Sequence, residues 1–81
     1  MIKSLAPNPA SDYVTVNYKL ACDISDAKLE VSDINGNPMT YAYIDNLRET
    51  QQISLAGFIP GTYYVKLITN GVVDTKTLIK Q

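Results

Sequence analysis

Apolar and polar side chains alternate one for one along most of this chain. A period of two marks a strand with one buried face. Val14, Val16, Tyr18 and Leu20 alternate with Thr15, Asn17 and Lys19. Ala27, Leu29 and Val31 alternate with Lys28, Glu30 and Ser32, and Tyr63, Val65 and Leu67 with Tyr64, Lys66 and Ile68. Ile53 and Leu55 flank Ser54. A helix needs apolar residues three and four apart, and no window offers that well. DISDAKLEV opens with residues suited to a helix cap, but Val31 and the Asn-Gly that follows favour a strand. MTYAYI at 39–44 has strand-like aromatic and β-branched content without a polar face, so sequence does not choose its inward side.

Turn residues punctuate these runs. Asn35-Gly36 and Asn70-Gly71 each sit between strand-like segments. Both central positions of a type I′ turn need positive φ, which Asn and Gly tolerate best, so each pair predicts a tight hairpin. Asn8-Pro9 marks a bend, Pro60-Gly61 another, and DNLRET at 45–50 a polar loop. Seven strands result, near 3–6, 13–20, 27–33, 38–44, 51–55, 62–69 and 72–79. Short strands at this spacing predict an all-β fold, a small antiparallel Ig-like β-sandwich. No repeat or linker interrupts the chain, so residues 1–81 read as a single domain.

Composition removes several function classes. The net charge is −1, which leaves no basic excess for a phosphate backbone and argues against nucleic acid. No apolar run approaches the roughly 20 residues that span a bilayer. The opening MIKSLAPNPAS lacks the apolar core of a signal peptide, so an export signal, if used, lies outside this chain. Histidine is absent, which removes the commonest general base and metal ligand. Cys22 is the only cysteine; it reads as a small buried residue, since LACDIS surrounds it with acids rather than cations. Asp23, Asp26, Asp33 and Asp45 would bind calcium only if loops gathered them, and solvated turn acids are the plainer reading. No phosphate loop, catalytic residue, metal site or cofactor site is expected.

Six tyrosines remain. Tyr18 and Tyr63 fall on inward rows and read as core, whereas Tyr64 faces outward, either in cross-strand packing or in a contact patch. Physical reasoning alone therefore gives a small non-catalytic sandwich. An accessory carbohydrate- or protein-binding module working through Tyr41, Tyr43 and Tyr64 is one alternative, and a passive spacer is another.

Three segments in order add to this: LAPNPASDYVTVNY, AKLEVSDINGNPM and QQISLAGFIPGTYYVKLITNGVVDTKTLIKQ. Together they resemble the C-terminal sorting domain of type IX secretion cargo, over essentially the whole chain. Pro7, Asn8, Pro9 and Ala10 before Val14 and Val16 resemble the family's opening turn and strand. Leu29, Val31, Asp33 and Gly36 resemble its strand and hairpin. Leu55, Gly61, Tyr63 and Val65 resemble its Leu…Gly-x-Tyr-x-Val segment, and Lys76 and Lys80 its Lys-bearing last strand. Phe58-Ile59-Pro60-Gly61 departs from the commoner Leu-Pro-x-Gly, and Gln81 from a basic or apolar last residue.

The resemblance implies a signal at the end of a larger secreted protein. The cargo would be exported, pass the periplasm, and reach the cell surface or the exterior. Its partners would be the translocon, an outer-membrane shuttle protein and a sortase that cuts near or upstream of residue 1. Recognition is expected in residues 61–81. Gly61 and Tyr63 would maintain the hairpin base, and the last strand would offer its free edge to strand addition. Lys76 and Lys80 would oppose self-pairing and meet an acidic receptor.

Overall fold

The computed structural model describes residues 1–21 and 26–81, with Asp26 described by its backbone only. Seven strands follow in order: β1 (Ile2–Ala6), β2 (Tyr13–Tyr18), β3 (Asp26–Asp33), β4 (Pro38–Asp45), β5 (Thr50–Ser54), β6 (Gly61–Thr69) and β7 (Val72–Lys80). They form a three-stranded sheet, β1-β2-β5, and a four-stranded sheet, β4-β3-β6-β7, with every strand pair antiparallel. The arrangement is sandwich-like and all-β, as the alternation predicts. Each sequence-predicted strand lies within about two residues of an observed one. The expected burial of Cys22 and the position of Asp23 lie outside the described residues.

The inward rows meet between the sheets. Val14, Val16 and Tyr18 from β2 pack in one cluster with Leu29 and Val31 from β3 and Val65 and Leu67 from β6. Each is fully buried. Removing such a side chain from water contributes about 1.5–3 kcal/mol, so these rows supply most of the driving force. Leu20 is buried although β2 ends at Tyr18, and Leu55 is buried just beyond β5. Both extend their strand's inward row after its ladder stops. β4 settles the side that sequence left open. Ile44 is buried and Thr40 and Ala42 half-buried, while Met39, Tyr41 and Tyr43 stand in solvent.

The two Asn-Gly pairs fold differently. At β6–β7, Asn70 (φ 46°) and Gly71 (φ 77°) both take positive φ, as the tight two-residue hairpin requires. At β3–β4 the expectation of a type I′ turn is corrected. Gly36 is left-handed (φ 87°), but Asn70 is the only described non-glycine with positive φ, so Asn35 is not. The Gly36 amide donates to the Asp33 carbonyl at 3.0 Å, which closes the turn around Ile34 and Asn35. Gly36 then supplies the left-handed residue of a three-residue loop. The Asp33 carboxylate accepts from the Asn35 and Asn37 amides, each at 2.9 Å, and from Asn37 Nδ2 at 3.1 Å. These donors, the Asn37 amide foremost, hold the Asp33 carboxyl below its ordinary range.

Candidate recognition site

The last strand pairs with β6 over its whole length. Gly61 stands opposite Lys80, Tyr63 opposite Leu78 and Val65 opposite Lys76. Residues 61–65 and 76–80 thus form the base of one hairpin, whose tip is Asn70-Gly71. Tyr63 anchors this base twice. Its ring lies in the core, tilted against Phe58 at 5.1 Å between centroids. Its hydroxyl donates to the Ile59 carbonyl at 2.6 Å, pulling the β5–β6 connection onto the strand. Gly61 has φ 155°, which L side chains rarely adopt, although open space surrounds the place a Cβ would take. Glycine is therefore required here by backbone conformation and not by crowding.

β7 lies at the border of its sheet, yet part of its outer side is occupied. Asn8 and Ala10, on the connection between β1 and β2, run alongside it. The Ile79 amide donates to Asn8 Oδ1 at 3.0 Å, and Asn8 Nδ2 donates to the Thr77 carbonyl at 3.1 Å. The Ala10 amide donates to the Ile79 carbonyl at 2.7 Å, and the Gln81 amide to the Ala10 carbonyl at 2.7 Å. Nearer the hairpin tip, the Ile2 amide donates to Asp74 Oδ2 at 2.9 Å. Ala10 is fully buried in this contact. The last strand lies at a sheet edge as expected, but that edge is only partly open: from Thr77 to Gln81 it is clasped by the segment around Pro9. Sequence singled out Asn8 and Pro9 but gave no sign of what they touch, because their partners lie about seventy positions away.

Lys76 is exposed on this strand, and Lys80 Nζ donates to the Gln81 carbonyl at 2.6 Å. Tyr64 is half-buried between Ser32 and Thr77 of its neighbouring strands, in cross-strand packing. Tyr41 and Tyr43 meet edge-on, with planes at 76° and centroids 5.5 Å apart, and Lys28 Nζ lies 5.0 Å from the Tyr41 ring centre. They do not make the coplanar platform that sugar stacking calls for. Asp26 and Asp45 are register partners at one end of the β3–β4 pair, whereas Asp33 is seven residues along β3, about 23 Å away at the rise of a strand. Among the described residues no group of three or more acids or cysteines stands close enough to hold a metal ion. No described helix is long and apolar enough to cross a membrane.

Comparison with known proteins agrees with the motif order. The family described as the secretion system C-terminal sorting domain matches residues 4–81. Among curated proteins none matches the chain.

Proposed function

Since the chain belongs to the secretion system C-terminal sorting domain family, we propose that the β6–β7 hairpin, held by Asn8 and Ala10, is the part of the signal that the export machinery reads. The domain is a sorting signal for type IX secretion, which takes cargo through the periplasm to the cell surface or the exterior. Domains of this kind are signals rather than catalysts. The finer reading is that a cargo domain precedes residue 1 and that the translocon and a shuttle protein receive the folded hairpin. A sortase then cuts upstream of it.

One observation carries this reading. Asn8 and Pro9, Gly61 to Val65, and Lys76 to Lys80 come from opposite ends of the chain and assemble along one border of the four-stranded sheet. Lys76 and Lys80 bring the only charges to the second half of β7. They suit an acidic receptor surface, which chiefly sets encounter rate and specificity.

The test is charge reversal on this border. Lys76→Glu with Lys80→Glu should leave stability within about 0.5 kcal/mol, because neither side chain is part of the core. A reporter carrying residues 1–81 with both changes should accumulate in the periplasm of a type IX-competent cell. Undiminished surface delivery would place recognition elsewhere on the domain.

A further inference from the structure

The outer sides of the two sheets are not equally protected. β7 is clasped by Asn8 and Ala10 and bears Lys76 and Lys80. β5 is short, five residues, and polar at Thr50, Gln51 and Gln52. β4 is eight residues long, and among the described residues β3 is its only strand partner. At its far end the Asp45 carbonyl also accepts from Tyr18 Oη at 3.2 Å. Pro38 and a register shift between Val31 and Ser32 guard only its first end, and from Met39 to Ile44 it contains neither charge nor proline. Met39, Tyr41 and Tyr43 are 46%, 59% and 72% exposed. Proteins ordinarily guard such an edge with lysine, proline, a bulge or a cover, because its unpaired N–H and C=O groups template another strand.

The surface around β4 narrows the choice of occupant. Met39 also lines a cleft of about 380 Å³ with Ile34, Ile59, Pro60, Gly61 and Tyr63. Ile34 and Ile59 are largely exposed there. An apolar surface therefore continues from the β4 edge to the base of the sorting hairpin. Acids lie near both ends, with Asp45 closing one end of β4 and Asp33, the last residue of β3, at the turn that leads into the other.

We propose that the β4 edge is a docking site for an extended segment of an export partner, which adds to the four-stranded sheet as a fifth strand. The segment has about six uncharged residues with apolar side chains at alternate positions, flanked on each side by Lys or Arg. Main-chain hydrogen bonds supply affinity. Tyr41, Tyr43 and the Met39 cleft select the side chains, and the flanking cations meet Asp33 and Asp45. This proposal rests on the sorting-signal reading and adds a second contact surface to it.

The test uses the isotope-labelled chain and a synthetic probe, an eight-residue peptide of alternating Val and Thr with one Lys at each end. Amide shifts and slowed hydrogen exchange are expected between residues 39 and 44. The same peptide ending in Glu should bind about tenfold more weakly. Tyr41→Lys with Tyr43→Lys, which leaves the core untouched, should weaken binding by a similar factor. Shifts on β7, or binding indifferent to the end charges, would overturn the proposal. So would concentration-dependent β4 shifts without peptide, which would assign the edge to a second copy of the chain. In a type IX-competent cell the same double variant, fused to a reporter, should show surface delivery reduced severalfold. If the unaltered fusion reaches the surface and the variant matches it, the docking edge fails alone. If the unaltered fusion is not delivered, the sorting reading fails with it.

Discussion

Tyr18 is fully buried, and its hydroxyl is satisfied in place by the Asp45 carbonyl at 3.2 Å. Burial, and secondarily the Asp45 charge, raise its phenol above the ordinary value of 10.0. The phenol thus ionises more readily in the unfolded chain than in the folded one. The associated stability is complete below about pH 10 and is lost as pH rises through the folded value. Tyr18→Phe should cost about 1 kcal/mol at neutral pH, the worth of one hydrogen bond. It should also reduce the fall in stability above pH 10, which denaturant titrations at pH 7 and at about pH 10.5 would read. That Tyr18 is core was legible from its place in the Val14–Val16–Tyr18 row. That its hydroxyl ends on Asp45 was not, because the partner sits on a strand of the other sheet. Asp33 is a similar case. It looked like one of several turn acids, and only the folded loop shows its carboxylate collecting the Asn35 and Asn37 donors.

Among the elements, the two Asn-Gly pairs separate what local sequence decides from what it does not. Asn70-Gly71 follows its dipeptide preference. Asn35-Gly36 does not, because the Asp33 carbonyl accepts from Gly36 and moves the turn one residue earlier. The dipeptide places the hairpin, and the neighbouring acceptor sets its length. β4 was legible as a strand but not in its facing, since MTYAYI carries apolar groups on both rows. Alternation gives a direction only where one row is polar. The clasp on β7 lies further from reach, because it is built from a bend and a strand end with no shared periodicity. It nonetheless has a measurable consequence. Asn8→Ala removes two hydrogen bonds to β7 and leaves the Ile79 amide without its acceptor. The expected loss is about 1–2 kcal/mol. Hydrogen exchange should quicken most at Ile79 and Gln81, while amides of β3 keep their protection. Uniform acceleration across both sheets, or none at Ile79, would show that the clasp is not a local device.

For the molecule as a whole, the last strand ends beside the connection between the first two. The β1–β2 connection grips the terminal strand, so the motif segments farthest apart in sequence become one surface. Alternation and turn residues carried the seven strands and the sandwich, because those depend on local pattern and on which row is greasy. They did not carry the order β4-β3-β6-β7, which is fixed by pairings between distant strands. The function was legible only through the order of three weak motifs, each of which taken alone is an ordinary strand or turn pattern. On the proposed reading the signal is a property of the folded shape. Leu67 is fully buried at the centre of β6, and Leu67→Asp places an unpaired carboxylate in the core, which a domain with about 5–15 kcal/mol of stability does not tolerate. The decisive measurement is protease accessibility of a reporter fused to residues 1–81 on intact type IX-competent cells, comparing the unaltered domain with Leu67→Asp. Surface exposure is expected for the first and periplasmic retention for the second. Equal exposure of both, with the variant shown to be unfolded, would contradict it.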